Sequence, residues 1–520
     1  MPDGPEPARA RRLRIVAALL LLPAGCIAWE LLRATAGFST ARLLATAASL
    51  VVVVSLAAVV IGPTCWRSYC DRFFLARISW LKVRQPVTRR RFCWLAILIA
   101  WSSFLVAIQR GAPLQDLQTT DSAAFSREAA EIADQGGPLA LVGTLYGGTY
   151  DEANQHPLLI GILSTTDTDS LSHQSVTTGI SMAGFILLTL LVIRLAGHQV
   201  GAVFAALLGT NATFGHLSLQ VTCECLLIPL VTICWWTLQR WTQNGQRPAS
   251  WRVFIATGAV LGLVQLAKGT GPIFLAGTLA WLLFPGCGLA QARPDSTVPE
   301  REPAGKSKRA AMALALLAAW ITIASPLLVR NLRMYGNPLY NVNSHFLFMD
   351  EFENPTEVAR RTTIPQAAGD YFSSHGIREM VQREATGLAW ESFNMARLLG
   401  PQPLQDSRIL PGIVLLLLSL LGIGLFPGRG YLLLACWLLF LVPLFAWYDP
   451  IVRSGERFLA PVIPALLFYA AVAASRLLSP SSAAPGSKTR HHLLPLACIA
   501  WCLAWNGATW MGYGVDLLSP

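Results

Sequence analysis

Residues 92–108 read F-C-W-L-A-I-L-I-A-W-S-S-F-L-V-A-I, an apolar run long enough to cross a bilayer as a helix. The segment that follows is polar, acidic and rich in glycine, and a second long apolar run begins near Val176. Within it, T-T-D-S-A-A-F-S-R-E-A-A-E-I-A-D-Q-G-G covers residues 119–137. The alanines favour a helix over residues 121–134, which Gly136 and Gly137 are expected to end. The sequence therefore predicts two membrane spans joined by a partly helical loop.

The composition indicates a protein that crosses the membrane many times. Of 520 residues, 53% are hydrophobic and only 13% are charged, whereas about a quarter of the residues in a soluble protein are charged. The net charge of +11 alone could indicate a nucleic-acid partner. The basic residues, however, cluster in short loops between apolar runs, which is the pattern of cytoplasmic anchoring loops. We therefore expect membrane lipids around the protein and no nucleic-acid partner.

The first 91 residues are predicted to be a two-span extension with a basic cytoplasmic loop. The apolar runs are residues 15–32 and 43–61, and residues 66–91 are rich in arginine. Such a basic segment stays on the cytoplasmic side. The span at residues 92–108 then runs outward, so the loop over residues 109–175 is expected to lie outside the cytoplasm.

The rest of the chain predicts an all-α polytopic membrane protein with about 13 helices in the membrane. Residues 92–475 are expected to form the core, with outer loops at 109–175 and 330–411. Residues 476–520 are expected to hold a cytoplasmic linker and the last span. The predicted spans after the first outer loop are 176–195, 200–216, 221–238, 253–267, 272–284, 310–329, 413–426, 431–447, 458–474 and 493–510.

Four charged residues are predicted to lie where spans meet the outer face, and each has a structural alternative. Asp121 is a candidate acid or base, or it caps a short helix. Lys268, in L-A-K-G-T-G, is a candidate phosphate contact, or it snorkels toward the headgroups. Arg330, followed by N-L-R-M-Y-G-N-P, lies where positive charge is disfavoured, which suggests that it binds an anion. Alternatively, it is the polar end of a helix before a turn. Arg457, in E-R-F-L-A-P-V-I-P, is another cation on this face.

The alternative for Arg457 is structural ion pairing. Arg453 and Arg457 could neutralise Asp449 and Glu456, which lie close to them in the chain. If the acid and the cations instead converge, they could hold a phosphorylated lipid. A base would activate the attacking group, and the cations would stabilise a phosphate leaving group.

These stretches together resemble the polyprenyl-phosphate-dependent glycosyltransferases of the GT-C fold, such as protein mannosyltransferases and aminoarabinose transferases. The resemblance covers roughly residues 92–475. It implies a catalytic Asp in the first outer loop, matched by Asp121, and a turn before the next membrane segment, matched by His156. It also implies a carboxylate matched by Glu224. The Lys268, Arg330 and Arg457 stretches follow in the family's order. Ser122 stands where many members have a second acid.

The resemblance implies a GT-C-like bundle and transfer of a sugar, hexosyl or pentosyl, from a polyprenyl phosphate. Asp121 would deprotonate the acceptor, which could be a lipid, a glycan or a protein. Lys268, Arg330 and Arg457 would bind the phosphate, and His156 and Glu224 would shape the pocket or assist. A lipid-linked sugar flippase and a non-catalytic envelope scaffold are the alternative functions.

The sequence predicts no cofactor beyond the lipid-linked sugar donor. No His/Asp cluster with metal-ligand spacing is visible. The sequence therefore disfavours a divalent metal without excluding it. We expect an integral protein of the bacterial inner membrane, with its site facing the periplasm or the exterior.

Overall fold

The structure is a computed structural model that describes residues 87–111, 120–149, 156–243, 251–283, 306–401, 408–426, 428, 430–452, 455–478 and 493–508. Within these residues the chain is helical, and the one β-bridge joins Asn211 to Pro401. The predicted all-α fold is thus confirmed. The two spans predicted before residue 87 lie outside the described residues.

The helices follow the apolar runs and are separated by polar or glycine-containing breaks. Their bounds are α1 Val87–Gly111, α2 Thr120–Asp134, α3 Pro138–Gly147, α4 Pro157–Leu163, α5 Ser170–Ala196, α6 His198–Gly209, α7 Ala212–Leu219, α8 Glu224–Gln243, α9 Trp251–Ala267, α10 Gly271–Leu283, α11 Lys306–Tyr335, α12 Pro355–Arg361, α13 Ile364–Ser374, α14 Ile377–Leu398, α15 Ile409–Leu425, α16 Gly430–Val452, α17 Ile463–Leu478 and α18 Leu493–Ala508. Short 3-10 helices cover Val342–Phe348, Gly455–Phe458 and Ala460–Val462.

Four stretches in the described part of the chain are long and apolar enough to cross a membrane: Ser170–Ala196, Ser307–Tyr335, Gly430–Val452 and Ala460–Leu478. Further apolar helices are shorter, such as α9 and α15. The stretch that contains α17 is 78% buried within the protein, whereas the stretch in α11 is 28% buried. The apolar face of α17 therefore packs in the centre of the bundle, and α11 turns most of its apolar surface outward, as a lipid-facing helix does.

Helix α2 confirms the helix predicted after the first span. It ends at Asp134, and Gly136 and Gly137 adopt positive φ angles of 110° and 76°. Glycine adopts such angles without the steric cost that a side chain imposes. The turn brings α3 back against α11, where the hydroxyl groups of Tyr146 and Ser325 lie 2.6 Å apart.

The predicted span at residues 200–216 is interrupted. Helix α6 ends at Gly209, and the side chain of Asn211 caps the next helix by accepting a hydrogen bond from the amide of Phe214 at 2.8 Å. Asn211 also donates to the carbonyl oxygen of Leu398 at 2.9 Å. The asparagine thus stops one helix, starts another and ties both to the end of α14.

Residues 336–401, between α11 and α15, carry α12, α13 and α14, and we refer to them as the cap. Its organising residue is Arg383 on α14, which donates to the carbonyl oxygens of Met349 at 2.8 Å, Phe346 at 3.3 Å and Trp447 at 3.1 Å. A guanidinium group carries five donors in a fixed plane, so one side chain can satisfy several carbonyl groups. Arg383 therefore joins the cap to the end of α16.

Candidate functional site

Four charged residues from separate elements meet at one end of the bundle, and we refer to them as the Glu224 cluster. Asp121 lies in the first turn of α2, Glu224 begins α8, Lys268 follows α9, and Arg457 lies in the 3-10 helix Gly455–Phe458. The cluster thus joins residues up to 336 positions apart in the chain.

Glu224 is the buried centre of the cluster. Its side chain is 0% exposed, and its Oε1 atom accepts from Lys268 Nζ at 2.5 Å and from Arg457 Nε at 2.6 Å. Arg457 Nη2 donates to Oε2 at 3.3 Å. A buried carboxylate is tolerated when it is paired and hydrogen-bonded, and these two cations supply both conditions.

Arg457 also binds Asp121, because its Nη1 atom donates to Asp121 Oδ2. Exposure of the side chains rises from 0% at Glu224 to 25% at Arg457 and 43% at Asp121. Asp121 therefore lies at the open edge of the cluster. Its carboxylate binds an arginine from a distant segment. Asp121 therefore does more than cap the start of a short helix, which was the structural alternative for this residue.

The electrostatic setting of Arg457 favours its charged form. Burial alone would lower the pKa of Arg457, but Glu224 and Asp121 raise that pKa well above its usual value. Arg457 therefore remains a cation while it bridges the two carboxylates.

Lys268 is fixed by its turn as well as by Glu224. Its Nζ atom lies 5.4 Å from the centre of the Phe458 ring, within the range of a cation–π contact. The next residue, Gly269, packs so closely on the side chain of Asn341 that a β-carbon there would overlap it. The G-T-G sequence after Lys268 thus allows the tight turn that aims the ammonium group at Glu224.

His156 lies beside Lys268. Its Nδ1 atom donates to the carbonyl oxygen of Ala267 at 2.8 Å, which fixes the tautomer with an unprotonated Nε2. The ring packs edge-on against Phe125, with ring centres 5.0 Å apart. Burial, together with the charge of Lys268, lowers the pKa of His156 to about 4. His156 is therefore neutral near pH 7.

Arg330 has a different setting. It is fully buried, and its guanidinium donates to Asn331 Oδ1 at 2.8 Å and lies 5.3 Å from the centre of the Tyr335 ring. Asn331 in turn donates to the carbonyl oxygens of Pro338 and Tyr340. These hydrogen bonds fix Arg330 and Asn331 within the stretch from Arg330 to Tyr340.

The predicted alternative pairing of Arg457 with Glu456 is not what forms. Arg397 Nε lies 2.8 Å from Glu456 Oε1 in an ion pair, and Arg408 Nη2 donates a hydrogen bond to the same oxygen at 2.5 Å. Arg453 lies outside the described residues. The two arginines that bind Glu456 were not singled out in the sequence, because arginines in an outer loop carry no distinguishing local pattern. The short 3-10 helix therefore sends Glu456 and Arg457 to different partners.

In the described ranges, no group of three or more His, Cys, Asp or Glu side chains is arranged to hold a metal ion. The Glu224 cluster as it stands is an ion-pair network of two carboxylates and two cations.

Comparison with known proteins gives one family match. The model of the dolichyl-phosphate-mannose-protein mannosyltransferase family matches residues 171–292, which include Glu224 and Lys268. No curated protein matches the chain. The match covers less than half of the chain and supports the resemblance to glycosyltransferases of the GT-C type, and the apolar helices support an integral membrane protein.

Proposed function

We propose that this protein transfers a sugar from a polyprenyl-phosphate donor to an acceptor on the non-cytoplasmic side of the bacterial inner membrane. The observation that carries the proposal is the Glu224 cluster, in which a half-exposed carboxylate lies against an arginine that is itself tied to a buried acid. The acceptor is a lipid, a glycan or a protein.

Asp121 is the proposed general base. One of its oxygens accepts from Arg457, and the carboxylate is exposed enough to meet an acceptor hydroxyl or amine. The acceptor atom bonds to the anomeric carbon, its proton passes to Asp121, and the bond from that carbon to the phosphate oxygen breaks. The phosphate leaves with the electron pair. A single displacement of this kind inverts the anomeric configuration.

The charges of the cluster suit this reaction. Asp121 and Glu224 offset the charges of Lys268 and Arg457, so the cluster is formally neutral before the transfer. When Asp121 takes up the proton, the cluster gains one positive charge. The phosphate gains negative charge in the same step, and preorganised cations stabilise developing charge most effectively at a partly buried site.

Lys268 and Arg457 are the proposed phosphate-binding residues. Both carry more N–H donors than Glu224 and Asp121 use. The neutral ring of His156 shapes the pocket beside Lys268 without adding charge. Arg330, held by Asn331 about the end of α11, is proposed to contact the lipid phosphate from the neighbouring segment.

The test is the substitution Asp121→Asn in purified protein supplied with a polyprenyl-phosphate sugar. Asparagine keeps the size of the side chain and cannot take up a proton, so transfer should fall at least about a hundredfold, the lower range for loss of a general base. Binding of the donor should persist.

Asp134→Asn is the matched control, because Asp134 is the exposed last residue of the same helix. It should leave transfer unchanged. Undiminished transfer by Asp121→Asn would remove Asp121 from the proposed role, and donor translocation without any covalent product would favour a flippase.

A further inference from the structure

A second group of buried acids lies where α14 packs on α16. Glu391 is 1% exposed, and Asn394 and Asp449 are 0% exposed. Asp449 Oδ2 accepts from Trp390 Nε1 at 2.6 Å and from Asn394 Nδ2 at 3.4 Å. The same amide donates to Glu391 Oε1 at 3.4 Å. Two carboxyl groups therefore share one amide donor inside the protein.

The two acids differ in their hydrogen bonding. Asp449 accepts from an indole, an amide side chain and a backbone amide, so its anionic form is well supplied with donors. Glu391 Oε2 has no hydrogen-bond partner among the described residues, and neither has Asn394 Oδ1. A proton on Glu391 would give it a donor that can reach a neighbouring acceptor. Burial, together with the charge of Asp449, raises the pKa of Glu391 to about 8.

Charged groups on the adjoining elements are engaged elsewhere. On the 3-10 helix, Glu456 pairs with Arg397 and Arg408, and Arg457 pairs with Glu224 and Asp121. On α14 itself, Arg383 binds backbone carbonyl groups of the cap. Asp449 is thus the charged group of the described elements that bears directly on Glu391.

Asp449 connects this pair to the Glu224 cluster. Its Oδ1 atom accepts from the amide of Gly455 at 3.2 Å, and Gly455 starts the 3-10 helix that carries Arg457 two residues later. Gly455 has φ 57°, a conformation that a residue with a side chain adopts rarely. The carboxylate therefore holds the backbone at the point where the chain turns toward the cluster.

We propose that Glu391 and Asp449 form a proton-sharing carboxyl pair in which protonated Glu391 lets Asp449 remain an anion that positions the Gly455 turn, and through it Arg457. Glu391 and Asp449 are positioning residues in this proposal, and their effect on transfer rests on the proposed function. Ionisation of Glu391 places two negative charges side by side in a buried site, which weakens the hold on the turn.

The first test measures stability and does not depend on sugar transfer. A raised pKa in the folded state means that the fold is stabilised by the bound proton below the ordinary glutamate pKa of 4.5, and loses that stabilisation as the pH rises toward about 8. Glu391→Gln mimics the protonated acid. Its melting temperature relative to the wild type should rise steadily between pH 5 and pH 8 and level off above that.

Glu351→Gln is the matched control, because Glu351 is exposed and the substitution removes the same charge. It should show no such rise. If the difference in melting temperature between Glu391→Gln and the wild type stays constant from pH 5 to pH 8, the proposed proton sharing is wrong.

The second test measures transfer. Wild-type turnover should fall above about pH 8, the pKa of Glu391, and Glu391→Gln should carry that decline to higher pH. Asp449→Asn should lower kcat/KM at least about tenfold at pH 7, since misplaced catalytic groups are costly. In asparagine an NH2 group, which cannot accept a hydrogen bond, replaces one carboxylate oxygen. Of the indole N–H of Trp390 and the backbone N–H of Gly455, only one would therefore keep an acceptor.

The outcomes separate the two proposals. Full activity of Asp449→Asn, or an alkaline decline that Glu391→Gln leaves in place, would overturn the positioning role. A wild-type protein with no transfer at any pH would contradict the proposed function, and the stability measurement would still decide whether the proton is shared.

Discussion

The residues of the Glu224 cluster differ in burial, and this difference distinguishes the structural role of Glu224 from the proton transfer proposed for Asp121. Glu224 is fully enclosed and binds two cations, whereas Asp121 reaches solvent. An enclosed carboxylate between two cations is poorly placed to exchange a proton with a substrate. Glu224 therefore fixes Lys268 and Arg457, and the proton chemistry is left to Asp121.

Removing the central charge should destabilise the fold. Glu224→Gln leaves Lys268 and Arg457 without their buried counter-charge, which costs about 3–5 kcal/mol when one partner of a buried pair is removed. The free energy of unfolding, or the melting temperature in detergent, measures the loss. Lys268→Met in the same chain should recover part of it, because the two side chains interact directly at 2.5 Å. Strict additivity of the two substitutions would contradict the direct pairing, and Asp134→Asn serves as the charge-matched control.

His156 should make stability depend on acid pH. Its pKa is lowered from 6.5 to about 4 in the folded protein, so the unfolded chain binds a proton first as the pH falls. The stabilisation is complete above pH 6.5 and is lost between pH 6.5 and about 4. His156→Gln retains a donor for the Ala267 carbonyl oxygen and does not titrate. Its melting temperature should fall less than that of the wild type between pH 7 and pH 5, and an equal fall in both proteins would contradict the neutral buried ring.

The sequence singled out residues that the structure brings together, but it did not predict how they pair. Asp121, Lys268 and Arg457 were identifiable because ionisable groups at the ends of apolar runs are costly there. The bond between Arg457 and Glu224 joins residues 233 positions apart, and no local pattern encodes it. Sequence proximity favoured pairing Arg457 with Glu456, but the 3-10 helix directs these neighbours apart.

At the scale of the element, the site depends on where helices end. The predicted spans located most helices because a long apolar run must satisfy its backbone hydrogen bonds as a helix in lipid. The break between α6 and α7 was missed. It depends on the side chain of Asn211 bonding to the distant end of α14, a tertiary contact that an apolar average over the segment does not reveal.

Close packing of α14 on α16 joins the cap to the bundle, and a single methyl group should disturb it. A β-carbon at Gly387 would overlap the carbonyl oxygen of Ala446. Gly387→Ala should lower the free energy of unfolding by about 1–3 kcal/mol, the usual range for overpacking. Gly179→Ala on α5 meets no atom within 4 Å and gains helix propensity, so it should be neutral or stabilising. Equal melting temperatures for the two variants would contradict the close approach.

At the scale of the whole molecule, helix α11 separates the site from the basic residues near its start. It has 30 residues, which corresponds to about 45 Å of helix and exceeds the roughly 30 Å of hydrocarbon in a bilayer. Lys306, Lys308 and Arg309 lie in its first turn, whereas α3, from the same loop as Asp121, packs on its second half through Tyr146 and Ser325. A helix of this length that crosses the bilayer places its two ends on opposite sides.

This separation gives a test of orientation for the proposed function. Basic residues remain cytoplasmic, so Lys308→Cys should react with a membrane-impermeant maleimide only after the cells are permeabilised. Asp134→Cys, at the exposed end of α2, should react in intact cells. The parent protein provides the background, since the described native cysteines are buried or partly buried. The reverse labelling pattern would place the Glu224 cluster on the cytoplasmic side. It would contradict the proposed transfer to an acceptor on the non-cytoplasmic side. Labelling of both cysteines from the same side would instead contradict a transmembrane course of α11. If α11 crosses the membrane, residue 308 and the end of α2 lie on opposite sides.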